Sequence, residues 1–302
     1  MKSNIIGYEQ TVEYFEELIK GKKMPVATLF GGQPNIGKKE IIDYLSKGIL
    51  CVTNNWCGQC ESCKAPFLAH PDIIKKDVNN DSMLKEEMSN LLGRIHQKPI
   101  LSKKMIVVVE GVDSYSDAAA SLLLKAIEDA PSYVHFLMTA VYPESVATTV
   151  RSRSLIKKLS PLTVDPLAKK LIANGFPEEE AKRAAYLAGG RVGLALKILK
   201  DNELKNKYEN WLNTFKKINR MTIADCSSFA DEIDKKGEAE EVLSFFQAFL
   251  REQVKFIIDD KEDNRRDIQT AIRRSRESKA MLKANIPPRL ILEYVFFNQI
   301  KA

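Results

Sequence analysis

The stretch Phe30-Gly31-Gly32-Gln33-Pro34-Asn35-Ile36-Gly37-Lys38-Lys39 constrains this chain more than any other. Gly32, Gly37 and Lys38 stand at the spacing of the phosphate-binding loop G-x-x-x-x-G-K followed by Ser or Thr. In such a loop, backbone N–H groups close around phosphate oxygens and the lysine brings them a positive charge. Here the closing residue is Lys39, where a hydroxyl would otherwise hold Mg²⁺. A protonated lysine has no lone pair for a metal, and it adds a cation where the metal belongs. Asn35 stands where glycine is common, and asparagine tolerates positive φ better than most residues. Taken alone, the pattern also fits an ordinary glycine-rich turn.

The surroundings argue for more than a turn. Val26 to Phe30 reads as a strand leading into the loop. Glu40 to Leu50 reads as a helix, with Ile41, Ile42, Leu45 and Ile49 at helical spacing. Strand, loop, helix is the context a phosphate loop requires. A helix over 8–20 precedes it, with Val12, Phe15, Leu18 and Ile19 on one side. Further strands are predicted at Asp72-Ile73-Ile74, Met105–Val109 and His135–Thr139. Between and after them come helices over 82–97 (Leu84, Met88, Leu91, Leu92 and Ile95 inward), from Asp117 to Asp129 before Pro131, and over about 143–149. Such alternation predicts a mainly parallel α/β sheet covered on both faces. Beyond Leu159-Ser160-Pro161-Leu162-Thr163 only helices are predicted: 165–173, 178–188, 191–200, and longer ones from about 203. Val242, Phe245, Phe246, Phe249, Leu250, Ile257 and Ile258 give one apolar face there, and Leu290 to Ile300 another. The expected architecture is an α/β P-loop domain with a parallel sheet over 1–160, a small helical domain over 161–202, and an all-helical domain over 203–302.

A hydrolysing site also needs acids at the end of a buried strand, one for Mg²⁺ and one to position water. Here Val109 is followed by Glu110 and then Gly111, with Asp113 past the strand end. Lys39 and Gly111 thus depart from the pattern at two separate points of the same chemistry.

Cysteine spacing supplies a second site. Cys51, Cys57, Cys60 and Cys63 fall within thirteen residues, and Cys226 stands apart. Four clustered thiolates suit a closed, tetrahedral, structural Zn²⁺ site better than a disulfide framework. Gly58 eases the turn between them. A redox pair or unligated thiols are the competing readings, and His70 competes with Cys51 as a ligand, although His70-Pro71-Asp72 reads as the lead into a strand. Val150-Arg151-Ser152-Arg153-Ser154 offers an arginine that could reach a phosphate held by another subunit; surface charge is the plainer reading. Arg265, Arg266, Arg273, Arg274, Arg276, Lys279, Lys283 and Arg289 form a basic stretch suited to DNA phosphates, to a subunit contact, or to solvent alone. A net charge of +6 permits nucleic-acid contact without requiring it. No signal peptide and no membrane-spanning apolar run are read, so a cytoplasmic setting is expected.

Taken together these residues resemble the delta-prime family of bacterial DNA polymerase III clamp-loader subunits, within the AAA+ group. The resemblance rests on Gly7-Tyr8-Glu9, Leu29-Phe30-Gly31-Gly32 with Ile36-Gly37-Lys38, and the four cysteines followed by His70-Pro71-Asp72. It continues in Ala118 to Pro131, Ser152-Arg153-Ser154, and Asn285-Ile286-Pro287-Pro288-Arg289-Leu290-Ile291-Leu292-Glu293. It is stronger over the first 160 residues than beyond. It implies an AAA+ domain with a zinc module at about 51–70, a helical lid and a helical collar. It also implies a non-hydrolysing stator in a hetero-pentamer with ATPase subunits and a delta-type subunit, loading a sliding clamp on primed-template DNA. ATP hydrolysis is then not expected of this chain, and Arg153 becomes an arginine finger acting on a neighbour's ATP. Two departures stand out. Ser154 replaces the cysteine of the family's Ser-Arg-Cys motif. In the lid, Gly193 takes the place of a nucleotide-sensing arginine, with Arg191 two residues early. An active motor-type ATPase subunit of the same loader, or a zinc-dependent nucleic-acid-binding module, are the other readings.

Overall fold

A computed structural model describes residues 5–76, 90–91, 93–256, 270–275, 277–278, 281–282, 284 and 286–297. The chain forms two compact units, Met1–Pro161 with Arg191–Gly193, and Leu162–Gly190 with Leu194–Ala302.

The first unit is built on five parallel strands: β1 (Ala27–Gly31), β2 (Ile73–Lys76), β3 (Met105–Val109), β4 (Val134–Ala140) and β5 (Leu155–Lys158), in the order β2-β3-β4-β1-β5. The three interior strands β3, β4 and β1 are buried along their whole length, as expected of parallel strands covered on both faces. Helices α1 (Glu9–Lys20) and α2 (Lys38–Leu50) cover one face through Val12, Phe15, Ile19, Ile41, Ile42 and Leu45. The opposite face packs Leu123, Ala126 and Ile127 of the helix Asp117–Glu128, together with Leu91 and Ile95. Of the helix expected over 82–97, residues 90–91 and 93–95 are helical; Leu84, Met88 and Leu92 lie outside the described residues.

Strand β5 corrects the sequence reading, which held four strands. Leu155-Ile156-Lys157-Lys158 is short and half-exposed, and its two lysines hide the pattern of an edge strand. Its pairing with β1 is what supplies the β character. The helix expected over 143–149 is also different. A 3₁₀ turn at Pro143–Ser145 precedes a helix at Thr148–Ser152, so Arg151 and Ser152 lie inside the helix and not after it.

Asp72 secures the sheet's edge. Fully buried, its carboxylate accepts backbone N–H bonds from Ile100 (2.5 Å), Leu101 (2.8 Å) and Ser102 (2.7 Å). These hold the turn that feeds β3. Charged hydrogen bonds of this kind are strong, and a buried turn without them leaves three donors unpaired. Asp72→Ala is expected to destabilise the chain by about 3–5 kcal/mol in denaturant unfolding. Loss of under about 1 kcal/mol would show that the turn holds itself.

The second unit is helical among its described residues. Val164–Ala173 and Glu178–Leu187 pack as a pair; the helix Val192–Ile198 follows, its residues from Leu194 on belonging to this unit. Helix Asn202–Lys217 brings Tyr208, Trp211, Leu212 and Phe215 against Phe245 and Phe246 of Ala239–Phe256 and Phe296 of Pro288–Phe297. Arg183 clasps Glu209 with two guanidinium bonds, tying Glu178–Leu187 to Asn202–Lys217. Thr222 and Asp225 form a capping box at the start of Ile223–Lys235. The expected apolar face of Val242, Phe245, Phe246, Phe249 and Leu250 is buried; Ile257 and Ile258 lie outside the described residues. No described helix is long and apolar enough to cross a membrane.

Candidate functional site

The glycine loop leaves the carboxyl end of β1 and turns into α2, at the edge of a parallel sheet where α/β folds bind ligands. Its geometry follows from its glycines. Gly32 has φ 150°, and a Cβ there would lie 2.5 Å from the Leu159 carbonyl oxygen. Gly37 caps α2 at φ 113°. Asn35 takes φ 57°, the left-handed conformation its side chain tolerates. The Lys38 ammonium folds back onto the carbonyls of Gly32 and, at 3.1 Å, Gln33. Burial lowers its pKa to about 8, against the opposing pull of Asp113 and Glu110. The loop thus keeps the glycine-dictated turn and the lysine of the phosphate-loop pattern.

The groups where that pattern would hold a metal are differently engaged. Lys39 is exposed at the start of α2. Glu110, at the end of β3, is salt-bridged to Lys75 of β2 at 3.3 Å. Asp113 is committed to backbone: its Oδ2 accepts from Val141 N (3.0 Å) and Tyr142 N (2.8 Å), which fixes the chain leaving β4. Gly111, at φ 65°, makes the turn and donates its N–H to Thr139 Oγ1 at 3.1 Å. On α2, Asp43 has its pKa raised to about 6, by burial and by Glu40, while Lys39, Lys75 and Lys47 oppose the rise. Glu110 and Asp113 are thus already engaged, the first by a lysine and the second by backbone amides. Sequence reasoning found Glu110 and Asp113 but missed Lys75, which becomes an ion-pair partner only when β2 lies beside β3.

Arg191 is buried, at 3% exposure, and groups with Gly193 in the first unit. A Cβ at Gly193 would meet the Asn35 carbonyl oxygen at 2.8 Å, so a larger residue there would press on the loop.

The two arginines of the 150–154 segment differ. Arg151 is half-buried and donates from Nη1 to the Glu144 carbonyl at 3.3 Å. Arg153 lies just past the helix Thr148–Ser152 and is exposed, with Nε 2.5 Å from Glu128 Oε1. The Ser154 hydroxyl donates to the Val150 carbonyl at 2.7 Å, finishing the helix. Of the basic stretch, Arg265, Arg266, Arg276, Lys279 and Lys283 lie outside the described residues; Arg273 pairs with Glu277, and Arg289 with Asp231 and Glu293.

The four clustered cysteines converge. Their Sγ atoms all lie within 4.8 Å of one another, and Cys57 and Cys63 are 4.0 Å apart. A tetrahedral ion with bonds of about 2.3 Å needs ligand separations of about 3.8 Å. The backbone N–H groups of Cys57, Cys60 and Cys63 each donate, at 3.4 Å, to the sulfur of the cysteine before it in the set. Gly58 makes the turn at φ 69°. Burial opposes ionisation of Cys51, yet the Cys57 amide and the Thr53 hydroxyl hold its thiol down to about 5. Cys63 is pushed up to about 12 by burial and by the neighbouring thiols. Four sulfurs this close ionise together only around a cation, so the donor set fits a divalent metal. His70 is not among these ligands: its Nδ1 accepts from Asp72 N at 3.1 Å, so Nε2 carries the proton toward Ser62 Oγ at 2.8 Å.

Sequence reasoning also missed how this module is anchored. Trp56, at φ 45°, stacks on Tyr44 with centroids 5.0 Å apart and donates Nε1–H to the Tyr44 carbonyl at 2.8 Å. It lies over Gly48 of α2, where a Cβ would come within 2.1 Å of its ring. A glycine in a helix and a lone tryptophan eight residues on were the signal.

Comparison with known proteins places this geometry. A family described as "DNA polymerase III, delta subunit" matches residues 7–163. The chain is similar to DNA polymerase III subunit tau/gamma of Haemophilus influenzae, at 28% identity over 56% of this chain and 25% of that one. It is likewise similar to DNA polymerase III subunit gamma of Buchnera aphidicola from Acyrthosiphon pisum, at 28% identity over 65% and 57%. The chain thus spans between a quarter and somewhat over half of these relatives. Among solved structures it resembles a DNA polymerase III gamma subunit-related protein from Thermotoga maritima, with TM-score 0.55 and 14% identity over 95% of this chain and 98% of that one. That likeness establishes the fold.

Proposed function

From the premise that this chain belongs to the DNA polymerase III delta-subunit family, we propose that it is a delta-prime-type stator of the bacterial sliding-clamp loader, which does not itself hydrolyse ATP. The observation that carries this reading is the fate of the metal-binding groups. Lys39 replaces the hydroxyl, Lys75 neutralises Glu110, and Asp113 is spent on two backbone amides. The two acids at the strand end are thus already engaged, and without a metal the charge that builds on phosphoryl transfer is uncompensated. In this reading residues 1–160 form the AAA+ domain, 161–202 the lid and 203–302 the collar that joins ATPase and delta-type subunits in a cytoplasmic hetero-pentamer. The complex opens the sliding clamp and places it on primed-template DNA. Arg153 serves as the finger in trans: it is the exposed arginine of its pair, and its planar fork matches phosphate oxygens. Cys51, Cys57, Cys60 and Cys63 hold a structural Zn²⁺, whose chemistry is to cross-link the module, with no open position for a substrate.

The purified chain is expected to turn over ATP at background in the presence of Mg²⁺ and primed DNA. The retained part of the loop pattern, Gly32, Gly37 and Lys38, favours the second reading of an active ATPase subunit of the same loader. Turnover above background that Lys38→Ala abolishes would establish that reading in place of ours.

A further inference from the structure

A cavity of about 380 Å³ opens on the first unit at the edge of the sheet opposite the glycine loop. Its walls come from the ends of α1 and α2 and from the residues that enter β1, β3 and β4. Because all five strands are parallel, their amino ends share one edge and the loop lies at the other. The cavity therefore lies away from the glycine loop, while Cys51 and Val52 on its wall adjoin the cysteine cluster.

Its chemistry is specific. Ile19, Met24, Val26, Ile49 and Val52 make it apolar, and two of these are unusually open for aliphatic residues, Val26 at 38% and Val52 at 50% exposure. Lys22, Lys103 and Lys104 stand around it, and no carboxylate lines it. Lys104 is turned to the Ser132 carbonyl at 3.0 Å, whereas Lys22 and Lys103 are exposed. His135 adds an acceptor. Its Nδ1 is 2.9 Å from the Pro25 carbonyl, which only accepts, so Nδ1 carries the proton and Nε2 keeps its lone pair.

We infer that this cavity is a docking site for a short peptide segment of a partner protein, in which an aliphatic side chain is flanked by aspartate or glutamate. An aliphatic pocket ringed by ammonium groups complements that sequence: the side chain takes the apolar floor and the carboxylates meet Lys22 and Lys103. Two exposed ammonium groups suit a segment that carries more than one carboxylate, whereas a fatty acid carries one. Single-stranded nucleic acid binds on aromatic platforms, and none of the lining residues is a phenylalanine, tyrosine or tryptophan. The inference is independent of whether the chain hydrolyses ATP.

The test is selection of a displayed library of random twelve-residue peptides on the full chain, followed by affinity measurement of the enriched sequences. Enriched peptides are expected to pair Leu, Ile, Val or Met with a nearby Asp or Glu. They should bind the wild-type chain about tenfold tighter than the Lys22→Glu/Lys103→Glu variant, with the difference shrinking in high salt. Both lysines are exposed, so this variant should fold; Val26→Asp, on the apolar wall at 38% exposure and outside the cysteine cluster, should weaken binding independently. Methyl resonances of Ile19, Ile49 and Val52 should shift on peptide addition. The inference is overturned by a library without enrichment, by peptides that bind wild type and variants equally, or by shifts confined to other methyl groups. It is also overturned if decanoate fills the cavity and the peptides do not.

Discussion

Arg153→Ala in the loader reconstituted from its own subunits is expected to cut hydrolysis of the ATP that faces this chain by about a thousandfold, the lower range for loss of an arginine finger. Arg153→Lys should fare little better, because an ammonium cannot offer the planar fork that spans two phosphate oxygens. The fold should hardly notice. In the free chain Arg153 pairs with Glu128, and the two side chains are 45% and 42% exposed. A surface pair of that kind is worth at most about 1 kcal/mol, so the arginine gives it up readily for a phosphate. Arg151 is the control. Half-buried and bonded to the Glu144 carbonyl, it belongs to the packing of its own segment, and Arg151→Ala should lower stability more than ATPase activity. The measurement is DNA-stimulated ATPase of assembled complexes, with assembly checked by gel filtration. An assembled Arg153→Ala complex with undiminished activity at every site would remove the finger from this chain.

Stripping the metal is expected to have a large effect on the isolated protein. Chelation, or Cys60→Ser, should lower the melting temperature by roughly 5–10 °C, as the four sulfurs lose the cation that lets them sit together. The loss should be read most directly at Trp56. With Trp211→Phe as background, Trp56 is the single tryptophan, stacked on Tyr44 and wedged over Gly48. Its emission should shift to the red on chelation and recover when Zn²⁺ is restored. Metal analysis of the protein as purified should give one zinc per chain. Unchanged melting and emission after complete removal of metal would mean that the hydrogen bonds of the module suffice without it.

The sequence by itself determined the elements whose patterns are local. A run such as Met105–Val109 has no side that tolerates water, and its shortness and β-branched valines and isoleucine favour a buried strand. The loop from Gly32 to Lys38 carries its conformation in its own glycines, and the cysteine spacing carries its ligand set over thirteen residues. The helices before and after them have periodic apolar faces that survive inspection one segment at a time. The departures from a hydrolysing site, Lys39 and Gly111, were legible for the same reason.

Tertiary structure decided what depends on neighbours distant in the chain. Leu155–Lys158 is a strand because β1 pairs with it, since its own residues are half polar. Glu110 looked like a weakened metal ligand; β2 lies beside β3 and Lys75 reaches it, which turns a missing partner into an occupied one. Asp113 seemed merely displaced, and it proved to hold the chain leaving β4. His70 competed as a ligand until both of its nitrogens were found engaged by Ser62 and Asp72. Which arginine of the 150–154 segment is free to reach outward is likewise a matter of burial, set by a helix that begins five residues later than the sequence suggested. Spacing fixes which groups can meet within one turn or one loop. Only the packing of elements far apart in sequence fixes which of those groups are already spent.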